Sequence, residues 1–130
     1  MSTWIPPTSA EQPDITLTDW RLFEVLAPEI GHPTFHIAGY LWHERAGRVS
    51  SPIEELDAAS RCGVSRAGRV YRLSGYPGFN GDAEYTWARW LRKWNATVLR
   101  DYSLEAVKEF AAAAAARDSE GEAHAPNSSL

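Results

Sequence analysis

The segment GDAEYTWARWLRKWN, residues 81–95, contains three of the six tryptophans of this 130-residue chain. Its apolar side chains recur at the helical period and would form one continuous stripe on a helix. The charges also suit a helix, because Asp82 lies near its start and cationic residues lie near its end. The pattern predicts a helix that packs its tryptophan face against a core, and it leaves open a platform that stacks on a ligand. The stripe comprises Ala83, Trp87, Trp90, Leu91 and Trp94.

Several other segments are rich in branched and aromatic residues and are bounded by turn residues, which predicts β-strands. In the first of them His36 and Trp42 share a face that is either half-buried under a helix or exposed for binding. Residues 51–59 remain ambiguous, because Ser51 and Pro52 are also typical of a helix start. The predicted strands are 34–43, 47–55, 62–66, 69–74 and, as a further candidate, 96–100.

Two more helices are expected on either side of these strands. Thr18 is a plausible N-cap and Pro28 a stop, which predicts a short helix over 18–27. Ser103 precedes a run with six consecutive alanines, the strongest helix formers. The predicted fold class is therefore α+β, with a small antiparallel sheet packed by the Trp-rich amphipathic helix and flanked by an N-terminal and an Ala-rich C-terminal helix.

The expected domain organisation is one α+β domain over 15–117. Proline and small polar residues predict a flexible tail for 1–14, although Trp4 within it is either packed onto the domain or offered to a partner. An acidic, polar composition predicts a disordered tail for 118–130. No apolar run is long enough for a membrane span, and no signal peptide is evident, so a cytoplasmic protein without membrane contact is expected.

The sequence lacks the residue patterns of familiar active sites. Cys62 is the single cysteine, which excludes an internal disulfide and a CxxC site and favours a packing role. Pro33 interrupts the spacing between His32 and His36 that a helical metal site would need. No nucleophile, zinc-protease or phosphate-loop motif is present. We therefore predict no catalytic residues, no metal, no cofactor and no enzymatic activity.

Charge is unevenly distributed along a chain whose net charge is −4. Residues 60–100 carry eight basic and two acidic side chains, whereas both flanking segments are acidic. This asymmetry indicates either a binding face or neutralisation within the fold. Exposed aromatics on the glycine-rich loop before the Trp helix would add adhesive area. The predicted binding residues are Arg69, Arg72, Tyr76, Phe79, Arg89, Arg92 and Lys93.

The segments GRVYRLSGYPG and DAEYTWARW carry a resemblance to short proteins encoded by tailed phages and prophages of proteobacteria. The likeness covers residues 48–94 and implies a small accessory protein of a mobile element, with no activity and no site residues to transfer. Together with the residue patterns it predicts a non-catalytic binding protein that uses a protein–protein surface. The alternative is a nucleic-acid-associated protein that uses the basic segment 61–100. The chain is expected to be a monomer or a small homo-oligomer.

Overall fold

A computed structural model describes residues 14–129 of the chain, with side chains as far as residue 118. This part contains seven β-strands and two α-helices. In chain order the elements are β1 (Ile15–Leu26), β2 (Thr34–Leu41), β3 (Ala46–Val49), β4 (Ile53–Asp57), β5 (Cys62–Ser65), β6 (Val70–Leu73), α1 (Gly81–Trp94), β7 (Thr97–Asp101) and α2 (Ser103–Ser129).

Five of the strands close into a barrel in the order β1, β2, β4, β5 and β6. Each pairs antiparallel with the next, so the first and the last of the five run in the same direction. The barrel therefore closes through a parallel pairing, with Ile15 opposite Tyr71 and Leu17 opposite Leu73. β3 extends from β2 and β7 pairs with the second half of β1. The predicted fold class is wrong, because the protein is mostly β and its sheet is a closed barrel.

The helix predicted for residues 18–27 is wrong, because residues 18–26 belong to β1. Trp20 and Leu22 point into the barrel, whereas Phe23 belongs to a second core on the outer face. A bulge occurs here, and Asp19 adopts a φ of 47°. Burial on both faces together with a register shift removes the simple alternation of a strand. The result resembles a helical pattern when it is read in the sequence.

The remaining predicted elements are found with adjusted bounds. The strand predicted for 47–55 is two strands, β3 and β4, with a bend at Ser51 between them, and no helix forms over 51–59. The Trp helix is confirmed as α1, and its N-cap is Asn80, whose side chain accepts a hydrogen bond from the Ala83 amide. Of the predicted N-terminal tail, residues 1–13 lie outside the described residues. The disorder predicted for 118–130 stays a prediction: the backbone of residues 118–129 continues α2, and side chains beyond residue 118 are not described.

Two apolar cores hold these elements together. The first fills the barrel and includes Trp20, and α2 closes it with Ala106 and Phe110. The second lies between the outer face of the barrel and α1, where Phe23 and Trp87 stack with ring centroids 4.7 Å apart. α1 therefore has one side committed to the barrel and the opposite side free to face solvent.

A close approach between β3 and α1 fixes the position of the helix. A Cβ atom added to Gly47 would lie 2.5 Å from the carbonyl oxygen of Asp82 and 2.5 Å from Oγ1 of Thr86. Such distances leave no room for any side chain, so glycine is required by the packing at this position. The first turn of α1 is thus held directly on the sheet.

Candidate binding surface on helix α1

The outer side of α1 is a strip of exposed aromatic and cationic side chains. Tyr85 is 63% exposed, and the guanidinium carbon of Arg89 lies 5.7 Å from the centroid of its ring. Arg92 and Lys93 continue the strip and are exposed. These four residues are called the α1 face below. It exists because the amphipathic period that buries the tryptophans places the cations on the opposite side.

The cations of the α1 face have no acidic partner among the residues that the structure describes. Other basic residues of the same sequence segment are paired: Arg66 with Glu54, Arg72 with Asp14, and Arg100 with Glu24 and Glu105. Neutralisation within the fold therefore accounts for part of the basic segment. The positive charge left over is concentrated on α1.

An aromatic cleft borders the α1 face. Trp90 and Trp94 are half-buried and form one wall of a cleft of about 350 Å3, which Ile30, Val49 and Pro52 complete. The Nζ atom of Lys93 lies 5.5 Å from the centroid of a Trp94 ring, which connects the cleft to the cationic strip. Of the three tryptophans Trp87 is buried in the core, and the other two also line accessible space. The core interpretation is therefore confirmed for Trp87, and the platform interpretation stays a prediction for Trp90 and Trp94.

His36 lies at the base of this cleft and is 1% exposed. Its Nδ1 atom is 2.9 Å from the Ser50 carbonyl oxygen and its Nε2 atom 2.9 Å from the Thr34 hydroxyl. Burial lowers the pKa of His36, opposed by the hydrogen bond to Ser50, so the ring is neutral near pH 7. A neutral ring fits if Nδ1–H donates to Ser50 and the Thr34 hydroxyl donates to Nε2. His36 thus holds the cleft together with both nitrogens already engaged.

The loop before α1 presents two exposed aromatic residues in different directions. Phe79 precedes the N-cap and is 71% exposed. An apolar residue there usually packs on the fourth helical residue, but this is Glu84, which pairs with Arg21 instead. Tyr76 is 78% exposed and borders a different cleft, next to α2 and Phe110. Phe79 is therefore exposed beside the start of α1, whereas Tyr76 lies near α2.

The other two predicted binding residues lie on the β5–β6 side of the barrel. The Arg72 guanidinium is 2.8 Å from the Asp14 carboxylate. The amide of Arg69 donates a hydrogen bond to the Ser65 hydroxyl at the turn between β5 and β6. Since α1 packs on β2 and β3, the fold separates these arginines from the helix. Of the seven predicted residues, the structure brings together Arg89, Arg92 and Lys93 on the exposed side of α1.

A second cleft opens between β4 and the start of α2, where the barrel core is incompletely covered. It has a volume of about 210 Å3 and an apolar floor that includes Phe35, Ile53, Leu56 and Tyr102. Its rim carries three glutamates, Glu54, Glu55 and Glu109. The Tyr102 hydroxyl donates a 2.7 Å hydrogen bond to Glu109, which raises the pKa of Tyr102. This site is called the acidic cleft below.

Groups that carry chemistry do not converge elsewhere in the described part of the chain. No set of three or more His, Cys, Asp or Glu residues within it is arranged to hold a metal ion. Cys62 is buried, and its thiol lies 3.3 Å from the Ser60 carbonyl oxygen.

No protein-family model, curated protein or solved structure matches this chain. Within the described residues no helix combines the length and apolar character needed to cross a membrane.

Both clefts were missed by reasoning from the sequence. The aromatic cleft brings α1 against the chain around Ser50, and the acidic cleft brings β4 against α2. Each cleft joins segments that are distant in the chain, so no local sequence pattern indicates it. One signal did exist for the first cleft, because the mixed aromatic and polar face of β2 that contains His36 marked it as a surface for a helix or a ligand.

Proposed function

We propose that this protein is a non-catalytic binding protein, and that its α1 face and aromatic cleft hold an acidic, apolar segment of a partner protein. The observation that carries the proposal is the set of three cations, Arg89, Arg92 and Lys93, without acidic partners in the described chain and next to a tryptophan-lined cleft. An apolar side chain of the partner enters the cleft, and its carboxylates contact the cations.

The composition of this surface fits what is known of binding energetics. Tryptophan, tyrosine and arginine are the residues that most often dominate the affinity of protein interfaces. Arginine binds carboxylates through two parallel hydrogen bonds, which adds geometric selectivity to charge attraction. The volume of about 350 Å3 falls within the range of pockets that accept an organic group. The cleft therefore holds an apolar side chain of the partner segment, and the cations orient that segment.

The non-catalytic part of the proposal is supported by the state of His36. It is the titratable group at the base of the aromatic cleft, and both of its ring nitrogens already have hydrogen-bond partners. A general base needs a nitrogen within reach of the substrate proton. His36 would have to break a buried hydrogen bond to provide one.

Nucleic-acid association remains the alternative, because tryptophan and arginine side by side also suit stacking on single-stranded bases. Three ion pairs weigh against it. Arg66, Arg72 and Arg100 are held by carboxylates, which removes three of the seven arginines that the basic segment would offer to phosphate. The proposal therefore favours a protein partner.

The test measures binding of two labelled probes by fluorescence anisotropy. One is an acidic peptide with a central tryptophan, and the other is a single-stranded oligonucleotide. We expect the peptide to bind, and Arg89→Glu to weaken it by about tenfold or more. Trp94→Ala should weaken it through loss of the anchor. Lys108→Glu is the matched control, since it reverses one exposed charge on the other helix.

Unchanged peptide affinity in both α1 variants would overturn the proposal. Binding of the oligonucleotide alone, with affinity that falls steeply as salt rises, would establish the alternative instead. If the peptide binds, pull-down from a native lysate with the same variants identifies the natural partner. We further propose that the protein acts in the cytoplasm as an accessory protein of a phage or another mobile element, in line with its resemblance over residues 48–94.

A further inference from the structure

We infer that a second copy of this chain is a partner of the α1 face, and that it binds through its acidic cleft. The inference rests on the proposed role of the α1 face and names one partner for it. In the assembly, Tyr85 of one copy enters the acidic cleft of the next, and the adjacent arginines contact the glutamates on the rim.

The acidic cleft has the size and lining of a site for one aromatic side chain. Its volume of about 210 Å3 lies below the roughly 300 Å3 at which small-molecule pockets begin. Phe35, Ile53 and Leu56 in its floor pack against the barrel core and are only partly buried. An inserted ring would complete their burial, which favours association through the hydrophobic effect.

Two of the three rim glutamates, Glu54 and Glu55, are available to a new cationic partner. Glu55 is exposed and has no ion pair within the described part of the chain. Glu54 is paired with Arg66, but both side chains are more than half exposed, and such surface pairs are weak and exchange readily. A helix that brings in arginines would therefore meet little competition.

The α1 face matches this cleft in both chemistry and spacing. Tyr85, Arg89 and Arg92 lie at positions i, i+4 and i+7, the spacing with which helices dock into grooves. Tyr85 is held beside Arg89 by the cation–π contact, so one aromatic anchor and one cation are presented together. The facing surfaces are thus apolar at the centre and opposite in charge at the edge.

The two surfaces lie on different parts of the molecule, which determines the kind of assembly. α1 covers the outer face of β2 and β3, whereas the acidic cleft lies between β4 and α2. A contact between two different surfaces is heterologous and leaves one free copy of each surface at the ends. The chains therefore associate head to tail, into a ring of three or more copies or an open series.

Sedimentation equilibrium over a wide range of protein concentration tests the inference. We expect the wild-type mass to rise beyond that of two chains as concentration increases, and to fall when salt is added. Arg89→Glu/Arg92→Glu removes one surface and Glu54→Lys/Glu55→Lys removes the other. Each variant alone should stay monomeric, with a dissociation constant raised at least about tenfold. An equal mixture should form complexes of two chains and no larger.

Three results would overturn head-to-tail assembly: a wild type that stays monomeric, one that stops at two copies, or a mixture that stays monomeric. Glu44→Lys is the matched charge reversal outside the cleft and should assemble as the wild type does. Circular dichroism shows whether each variant is folded. If Glu54→Lys/Glu55→Lys disturbs the fold, Glu54→Gln/Glu55→Gln takes its place in the assembly test. The Glu54→Lys/Glu55→Lys variant keeps its α1 face and should still bind the acidic peptide. A wild type that stays monomeric but binds this peptide would overturn head-to-tail assembly and leave the proposed function intact.

Discussion

Replacement of Trp87 by alanine is the most direct perturbation of the contact between α1 and the barrel. Trp87 is 5% exposed and lies between two other rings. Its ring stacks on Phe23 at 4.7 Å and on Trp90 at 5.3 Å, with interplanar angles of 10° and 9°. Loss of the indole therefore removes the centre of the second core and both stacked pairs.

The expected cost follows from the depth of burial. Truncation of a buried tryptophan to alanine costs about 3–5 kcal/mol, and the lower end applies here because α1 lies at the surface and can relax. Each stacked pair contributes about 1 kcal/mol beyond its buried area. We expect the free energy of unfolding to fall by about 3 kcal/mol, out of the roughly 5–15 kcal/mol typical of a domain. The midpoint of thermal unfolding should fall by about 10 °C.

Urea unfolding followed by far-UV circular dichroism measures this change. Tyr85→Ala is the control on the same helix, since Tyr85 is 63% exposed, and it should change the free energy of unfolding by less than about 0.5 kcal/mol. A double-mutant cycle with Phe23→Ala should show coupling of about 1 kcal/mol. A Trp87→Ala variant within about 1 kcal/mol of the wild type, at an unchanged urea dependence, would refute the packing described here.

Three further substitutions test other contacts by the same unfolding assay. Because the folded state holds His36 below its usual pKa of 6.5, the unfolded state takes up a proton first as pH falls. Wild-type stability should therefore decline below about pH 6.5, and His36→Asn should remove that part of the decline. Ser103→Ala leaves the buried Leu22 amide without its 3.0 Å acceptor and should cost about 1–3 kcal/mol. Gly47→Ala forces α1 away from β3 and should cost about 1–3 kcal/mol, with an altered near-UV spectrum of the tryptophans.

The parts of the fold that sequence reasoning predicted are those that local patterns encode. The period of the tryptophans defines α1 and its buried side, and no distant residue is needed to read it. The start of α2 at Ser103 likewise follows from neighbouring residues. These elements have one buried side, so their apolar pattern has a single period.

The parts that were not predicted depend on distant contacts. β1 is covered on one face by the barrel interior and on the other by α1, so its apolar residues follow no single period. The closure of the barrel joins residues 15–17 to residues 71–73, and nothing local in either segment indicates the partner. For this reason the closure of the sheet into a barrel was not predicted from the sequence.

The candidate site was predicted only where its residues follow a local pattern. Arg89, Arg92 and Lys93 follow from the helical period, because they lie opposite the tryptophans. Tyr76 was grouped with them because it is near in sequence, but the loop takes it toward α2. The ion pairs could not be predicted from the sequence either, because partners such as Asp14 and Arg72 are 58 residues apart in the chain.

The central claim is that the α1 face and the aromatic cleft form the binding surface. Amide chemical-shift mapping with the acidic, tryptophan-containing peptide tests it most directly. We expect the largest shifts on residues 85–94 of α1 and on the chain around Ile30 and Ser50. Shifts confined to the β5–β6 side, around Arg69 and Arg72, would contradict it.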